Sequence, residues 1–224
     1  MAFRSPSFEA VQKVSVGNVV LGRAPVKIIS SVCAATVEEM IDQAKAIEAS
    51  NADIIEWRAD YFADDTSWQE AVAAMKAVVT KPVIYTFRSQ SEGGVRTEPM
   101  SSTTWRKKVL AAIDSKLFDA VDIEFDRGRA EFLVESARKA GIVSIVSWHS
   151  FVPGEYDEEL GYFGKLEQMS YTGADVLKIV AMPDKGIDIA RFIEEVSVIR
   201  AEFNAPQPLI AMCMGKTGAV TRVG

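Results

Sequence analysis

The sequence predicts an α/β protein of the (β/α)-barrel class, on three observations. Strand-like and helix-like segments alternate along the chain. The strand-like runs are continuously apolar instead of alternating, as parallel strands covered on both faces are. No Pro/Gly/Ser-rich linker interrupts the series, so residues 1–224 read as one domain.

The elements follow in order. Two short β-like stretches flank Gly17-Asn18 within Phe8–Arg23, the pattern of a hairpin that could cap the N-terminal end of a barrel. Strands are predicted at Val26–Cys33, Ile54–Arg58, Val83–Arg88, Val121–Phe125, Ile142–Trp148, Val176–Val180 and Leu209–Met214. The first helix starts at Thr36, an N-cap with Glu39 completing a capping box, and Val37, Met40, Ile41, Ala44 and Ile47 keep helical spacing. Further helices are expected at Trp68–Val79, Thr104–Ser115, Arg129–Ala140, Leu160–Tyr171 and Ile187–Phe203, with Gly141 as a C-terminal stop. That makes seven βα units where a closed barrel needs about eight. The expectation is a barrel whose last βα unit is incomplete or lies outside the given sequence.

Composition narrows the function classes. Apolar residues make up 48% of 224, enough for a large core. A net charge of −6 argues against broad binding to nucleic acid or anionic membranes, though local arginines can still hold a small anion. Cys33 and Cys213 show neither a disulfide framework nor metal spacing, and His149 stands alone as histidine. No metal site is expected. With no apolar signal core at the N-terminus and no membrane-length apolar run, the reading is a cytoplasmic protein in a reducing compartment.

Barrel active sites sit at the C-terminal strand ends, so polar residues there carry information. Glu56 and Arg58 in IIEWRAD share one strand face; the competing structural explanation is a mutual salt bridge. Arg88 ends a strand before a loop holding Glu92 and two glycines, where arginine can fork onto a ligand oxygen. Asp122 and Glu124 share a face and are read as structural. His149 tips an apolar strand. Lys178 is the sharpest signal. A lysine within DVLKIVAMP is costly unless its amine is neutral or paired, and a desolvated, neutral amine is a nucleophile. Met212 and Met214 read as packing. The GKTG at 215–218 lacks the upstream glycine of a phosphate loop, with Ile210 in its place, so no nucleotide site is assigned.

Lysine, histidine and charged residues converging on one mouth suit imine chemistry on a carbonyl. The motifs EWRAD, TFRSQSEGG, DIE, SWHSF, LKIVAMP and MCMGKTGAVTR, in this order, make the chain resemble type I 3-dehydroquinate dehydratases from about Gly22 onward. The resemblance implies a (β/α)8 TIM barrel, a homodimer, no metal or organic cofactor, and dehydration of 3-dehydroquinate to 3-dehydroshikimate in the shikimate pathway. It implies Lys178 as the Schiff-base nucleophile, His149 as general acid and base, and Glu92 as the carboxylate that orients the imidazole and favours its charged form. It also implies Ser31, Glu56, Arg58, Arg88 and Arg222 as substrate contacts, Arg222 gripping a carboxylate, with Met212 and Met214 walling the site. The family's usual aspartate after the histidine is Ser150 here. Another lysine-imine lyase such as an aldolase, and a binding module retaining the pocket, remain as alternatives.

Overall fold

The computed structural model describes residues 11–97, 100–199 and 205–223. The chain opens with strands β1 (Val14–Val16) and β2 (Val19–Leu21), antiparallel about the turn at Gly17-Asn18. Seven parallel strands follow: β3 (Ile29–Val32), β4 (Ile54–Arg58), β5 (Val83–Thr86), β6 (Ala120–Glu124), β7 (Val143–His149), β8 (Val176–Ala181) and β9 (Leu209–Cys213). They pair in sequence order from β3 to β9, and no pairing joins β3 to β9 among the described residues. The helices between them are α1 (Val37–Glu48), α2 (Trp68–Lys76), α3 (Ser102–Ser115), α4 (Ala130–Ala140), α5 (Gly161–Ser170) and α6 (Gly186–Val198), with a short α7 (Val220–Val223) after β9.

Local chemistry accounts for the boundaries. The Thr36 hydroxyl accepts from the Glu39 amide at 3.3 Å, as a capping box requires, but the Glu39 carboxylate reaches the Ala35 amide rather than that of Thr36. Gly141 ends α4 at φ 75, a conformation open to glycine without strain. The strand β5 stops at Thr86, two residues before the expected end, because the Arg88 amide turns to the Asp60 carboxylate. The expected extensions to Phe8 and to Phe203 lie outside the described residues.

The two faces of the sheet have separate cores. Outward residues such as Ile55, Trp57, Tyr85, Val121, Ile123 and Ile179 pack with Met40, Met75, Trp105, Leu133, Leu166 and Phe192 of the helices. Inward, Ile54, Ile84, Ala120, Ile145 and Val176 meet Val14, Val16 and Leu21 of the hairpin. These residues come from the first turns of five successive strands, so the hairpin closes the N-terminal end of the concave face. The sheet is strongly curled. Strands β4 and β8 are four steps apart, roughly 19 Å in a flat sheet, yet side chains from the two meet at 3.2 Å. The architecture is that of a TIM-type barrel, seen here as seven strands.

The hairpin's role is testable. Val16 is wholly buried on the floor, whereas Ser15 between the two inward valines is exposed. Val16→Asp should cost about 4 kcal/mol or more by burying an unpaired carboxylate, and Ser15→Asp should stay within about 0.5 kcal/mol. Urea unfolding measures both; equal losses would remove the hairpin from the core.

Candidate active site

Above the apolar floor the inward positions turn polar, strand by strand. The first polar tier is Glu56, Thr86, Asp122, Ser147 and Lys178, each two residues beyond a floor residue. The next holds Arg58, Arg88, Glu124 and His149. Period-two alternation makes both tiers inward-facing. Parallel register sets Ser147 beside Lys178 and His149 beside Val180.

The Lys178 Nζ donates to Glu56 Oε1 at 3.2 Å and to Asp122 Oδ2 at 3.1 Å. Of the two conditions that make a lysine tolerable in an apolar strand, the structure meets the second: the amine is paired. Glu56 is itself tied down by Ser31 Oγ at 2.6 Å and Thr86 Oγ1 at 2.9 Å. Burial pushes the Glu56 carboxyl up, but Lys178, with help from Ser31 and Arg88, reverses this and holds it at about 2. Asp122 behaves alike: burial raises it, Arg88 and Lys178 overcome that, and it lies at about 2.

Beside this lies Arg88, fully enclosed. Its Nη2 donates to Asp122 at 2.8 Å, and its Nη1 faces Ser147 Oγ at 3.0 Å, Glu124 at 3.2 Å and Glu92 at 3.4 Å. Only 4% of its side chain is exposed. An arginine engaged by four protein acceptors is placed to hold the network together.

His149 meets Glu92 through Nδ1 and Oε2 at 2.8 Å. The loop after β5 makes this possible. A 3-10 turn at Gln90–Glu92 ends at Gly93 with φ 84, and the Phe151 ring lies where a Cβ on Gly93 would stand. Burial first, then the charges of Arg88 and Lys178, drive the imidazole well below its ordinary range. Burial first, then the neighbouring Glu124 charge, pushes Glu92 up to about 9. Its second oxygen, Oε1, is buried with no hydrogen-bond partner among the described residues, a position that suits a neutral acid better than an anion. Glu92 thus lies in direct contact with the ring. Burial and the surrounding charges raise its carboxyl and lower the imidazole, so both shifts run against a charged pair.

Arg58 pairs with Asp60, not with Glu56: Nε and Nη2 meet the two Asp60 oxygens at 2.8 Å each. Ser31 is exposed on β3 and reaches the cluster through Glu56. Met212 and Met214 are half-buried at the end of β9. Arg222 is exposed, its Nε on the Cys213 carbonyl at 3.3 Å; its bond leads to the end of β9 and not to the Lys178 cluster. Asp122, Thr86, Ser147 and Asp60 escaped the sequence reading as site residues. The available signal was a polar residue at an inward position of an apolar strand, as in IYT and IVSIVS. Cys33 and Cys213 are free thiols, and no group of metal-ligating side chains occurs among the described residues. A cavity of about 270 Å³ lies behind β4 and β5, lined by Trp57, Trp68, Tyr85 and Phe87, and shares no residue with this cluster.

The comparisons with known proteins bear on the family and the fold. The family model described as type I 3-dehydroquinase matches residues 28–224. A 3-dehydroquinate dehydratase of Salmonella paratyphi B is 34% identical over 221 residues, covering 95% of this chain and 85% of that protein. A solved type I 3-dehydroquinate dehydratase of Clostridium difficile, carrying covalently modified comenic acid, superposes with a TM-score of 0.87 at 27% identity, over 96% of this chain and 85% of the other. The 3-dehydroquinate dehydratase of Enterococcus faecalis gives a TM-score of 0.81 at 29% identity, over 92% and 86%.

Two stability measurements probe the electrostatics. Glu92 is raised in the folded state, so its contribution is full below its unfolded value near 4.5 and declines as pH rises toward about 9. Glu92→Gln should therefore flatten the loss of stability between those limits, read as melting temperature against pH; an unchanged slope refutes the neutral Glu92. Glu56 and Asp122 are depressed to about 2, so their contribution is present above pH 4.5 and lost as pH falls toward 2. Lys178→Ala should cost about 3 kcal/mol at pH 7 by stranding the buried Asp122 and part-buried Glu56 carboxylates, and less near pH 3. A loss independent of pH would contradict the pairing.

Proposed function

The chain belongs to the type I 3-dehydroquinase family, and from that membership we propose that it dehydrates 3-dehydroquinate to 3-dehydroshikimate through a Schiff base on Lys178. The single observation that carries the mechanism is the meeting, on one concave face, of a paired lysine and an imidazole from adjacent strands. The covalently modified ligand on the Clostridium difficile relative supports covalent chemistry in such a site.

The steps follow from the groups present. The Lys178 nitrogen attacks the ring ketone after its ammonium gives up a proton, with the carboxylates of Glu56 and Asp122 as the acceptors in direct contact. Both carboxylates are held at about 2, so this transfer is uphill and coupled to attack. The carbinolamine hydroxyl takes up the proton that the carboxylates received from Lys178 and leaves as water, giving an iminium. That cation acidifies the neighbouring C–H, and the free imidazole nitrogen of His149 removes the proton; a depressed pKa keeps the base unprotonated at neutral pH. The enamine then expels the hydroxyl, which takes the proton back from His149. Hydrolysis of the imine consumes one water, restores Lys178 and releases product, so the net change is loss of one water.

Ser31, Glu56, Arg58 and Arg222 serve as substrate contacts in this reading, with Arg88 behind them. For that role Arg222 leaves the Cys213 carbonyl, and a guanidinium can then take a carboxylate through two parallel N–H bonds.

Borohydride reduction in the presence of 3-dehydroquinate tests the nucleophile. The expected result is a mass adduct on Lys178, absent from Lys178→Ala together with turnover; an adduct elsewhere, or undiminished turnover in the variant, refutes it. His149→Ala should lower turnover by roughly 10²–10⁴-fold while the trapped adduct persists. Turnover is followed by the absorbance of the conjugated product, and a wild-type rate in that variant removes His149 from the mechanism.

A further inference from the structure

The clearest unassigned group near the site is Asp60, the last residue of the EWRAD motif. Its side chain is completely buried, yet it lies outside the Lys178 cluster. Its two oxygens take Nε and Nη2 of Arg58 in a side-on fork, both at 2.8 Å. That fork fixes the guanidinium plane and leaves Nη1 without a bond among the described residues. Arg58 also lies over the Tyr61 ring at 5.0 Å, which restrains the same plane from one side. The remaining N–H edge is the one a polar oxygen can use, and Arg58 is only part-buried, with 18% of its side chain exposed.

The same residue ties down a second element. Asp60 accepts from the backbone amides of Arg88 and Val95 at 3.4 and 3.3 Å, the two ends of the loop that carries Glu92. Its own carbonyl accepts from Arg96 Nε at 2.8 Å, and Arg96 continues to the Phe62 carbonyl and to Asp65. One buried carboxylate therefore joins the free edge of Arg58 to the base of the loop that supports His149.

We propose that Asp60 is a positioning residue for substrate recognition: it presets the Arg58 guanidinium to receive a substrate oxygen and locks the β5–α3 loop in the register that this edge requires. The proposal rests on the reading of Arg58 as a substrate contact. The energy of orienting Arg58 is spent in folding, not in binding, which is the meaning of preorganisation. Asp60 touches no reacting atom, so its loss should appear in KM and leave the chemical step nearly intact.

The test is a double-mutant cycle on the full chain with 3-dehydroquinate. Asp60→Asn keeps the shape and removes the fork; KM should rise roughly 10–100-fold, the size of one lost charge-assisted hydrogen bond, with kcat changed by less than about threefold. Arg58→Ala combined with Asp60→Asn should be no worse in KM than Arg58→Ala alone, because Asp60 acts through Arg58. Should Asp60→Asn unfold, Arg58→Lys gives an independent reading: it keeps the cation, cannot fork, and should raise KM to the same degree. An unchanged KM in Asp60→Asn or Arg58→Lys, additive losses in the cycle, or a fall in kcat without a rise in KM overturns the proposal. Borohydride trapping at saturating substrate is run alongside. An adduct retained in Asp60→Asn is expected, and loss of the adduct in the wild type would fault the Schiff-base reading instead.

Discussion

A part-buried ammonium must be answered by carboxylates, and the rest of this structure follows from that demand. Lys178 stands on β8, and its partners come from β4 and β6. Those strands bring their carboxylates to one amine only if the sheet curls until its inner face closes on itself. Ion pairs of this kind seldom add net stability, because desolvation of each charge offsets the attraction. Their presence here is therefore better explained by chemistry than by folding. The apolar floor supplied by the hairpin absorbs the folding task at the other end of the same strands.

The division into tiers explains how one strand can serve both the core and the candidate site. In β7, Ile145 packs on the hairpin, Ser147 holds Arg88 and Asp122, and His149 reaches the mouth. Each step of two residues moves from hydrocarbon to fixed dipole to titrating group. The outward residues between them, such as Val146, stay in the helix-facing core. A one-residue slip would exchange the two faces at once, so the register of the whole sheet protects the site.

Much of this was legible in the sequence because strand periodicity is strict. Lys178, His149, Glu56 and Arg58 betray themselves as polar residues on the face of an apolar strand, and the hairpin declares itself through Gly17-Asn18. Partner choice was not legible. Nothing in IIEWRAD says that Arg58 turns to Asp60 two residues on while Glu56 crosses the sheet to Lys178, since that depends on curvature set by distant elements. Asp122 looked structural for the same reason: its contact with the amine is 56 residues away in sequence. The Glu92 protonation state was equally hidden, because it arises from burial and from Glu124 on another strand.

Arg88 shows why such properties cannot be assigned residue by residue. Its single charge helps hold Asp122 as an anion, opposes protonation of His149, and draws on Glu92 and Glu124 without fully neutralising either. Of the two acids nearest its Nη1, burial keeps both raised, and the one beside the imidazole carries the proton near neutral pH. The lysine consequently faces anions, whereas the histidine faces a neutral acid, although a single guanidinium contacts both sets. An enclosed arginine with four acceptors has no freedom to leave one of them for a ligand without exposing the others to an uncompensated charge. Fixed in this way, it stands between the Lys178 carboxylate cluster and the His149–Glu92 pair.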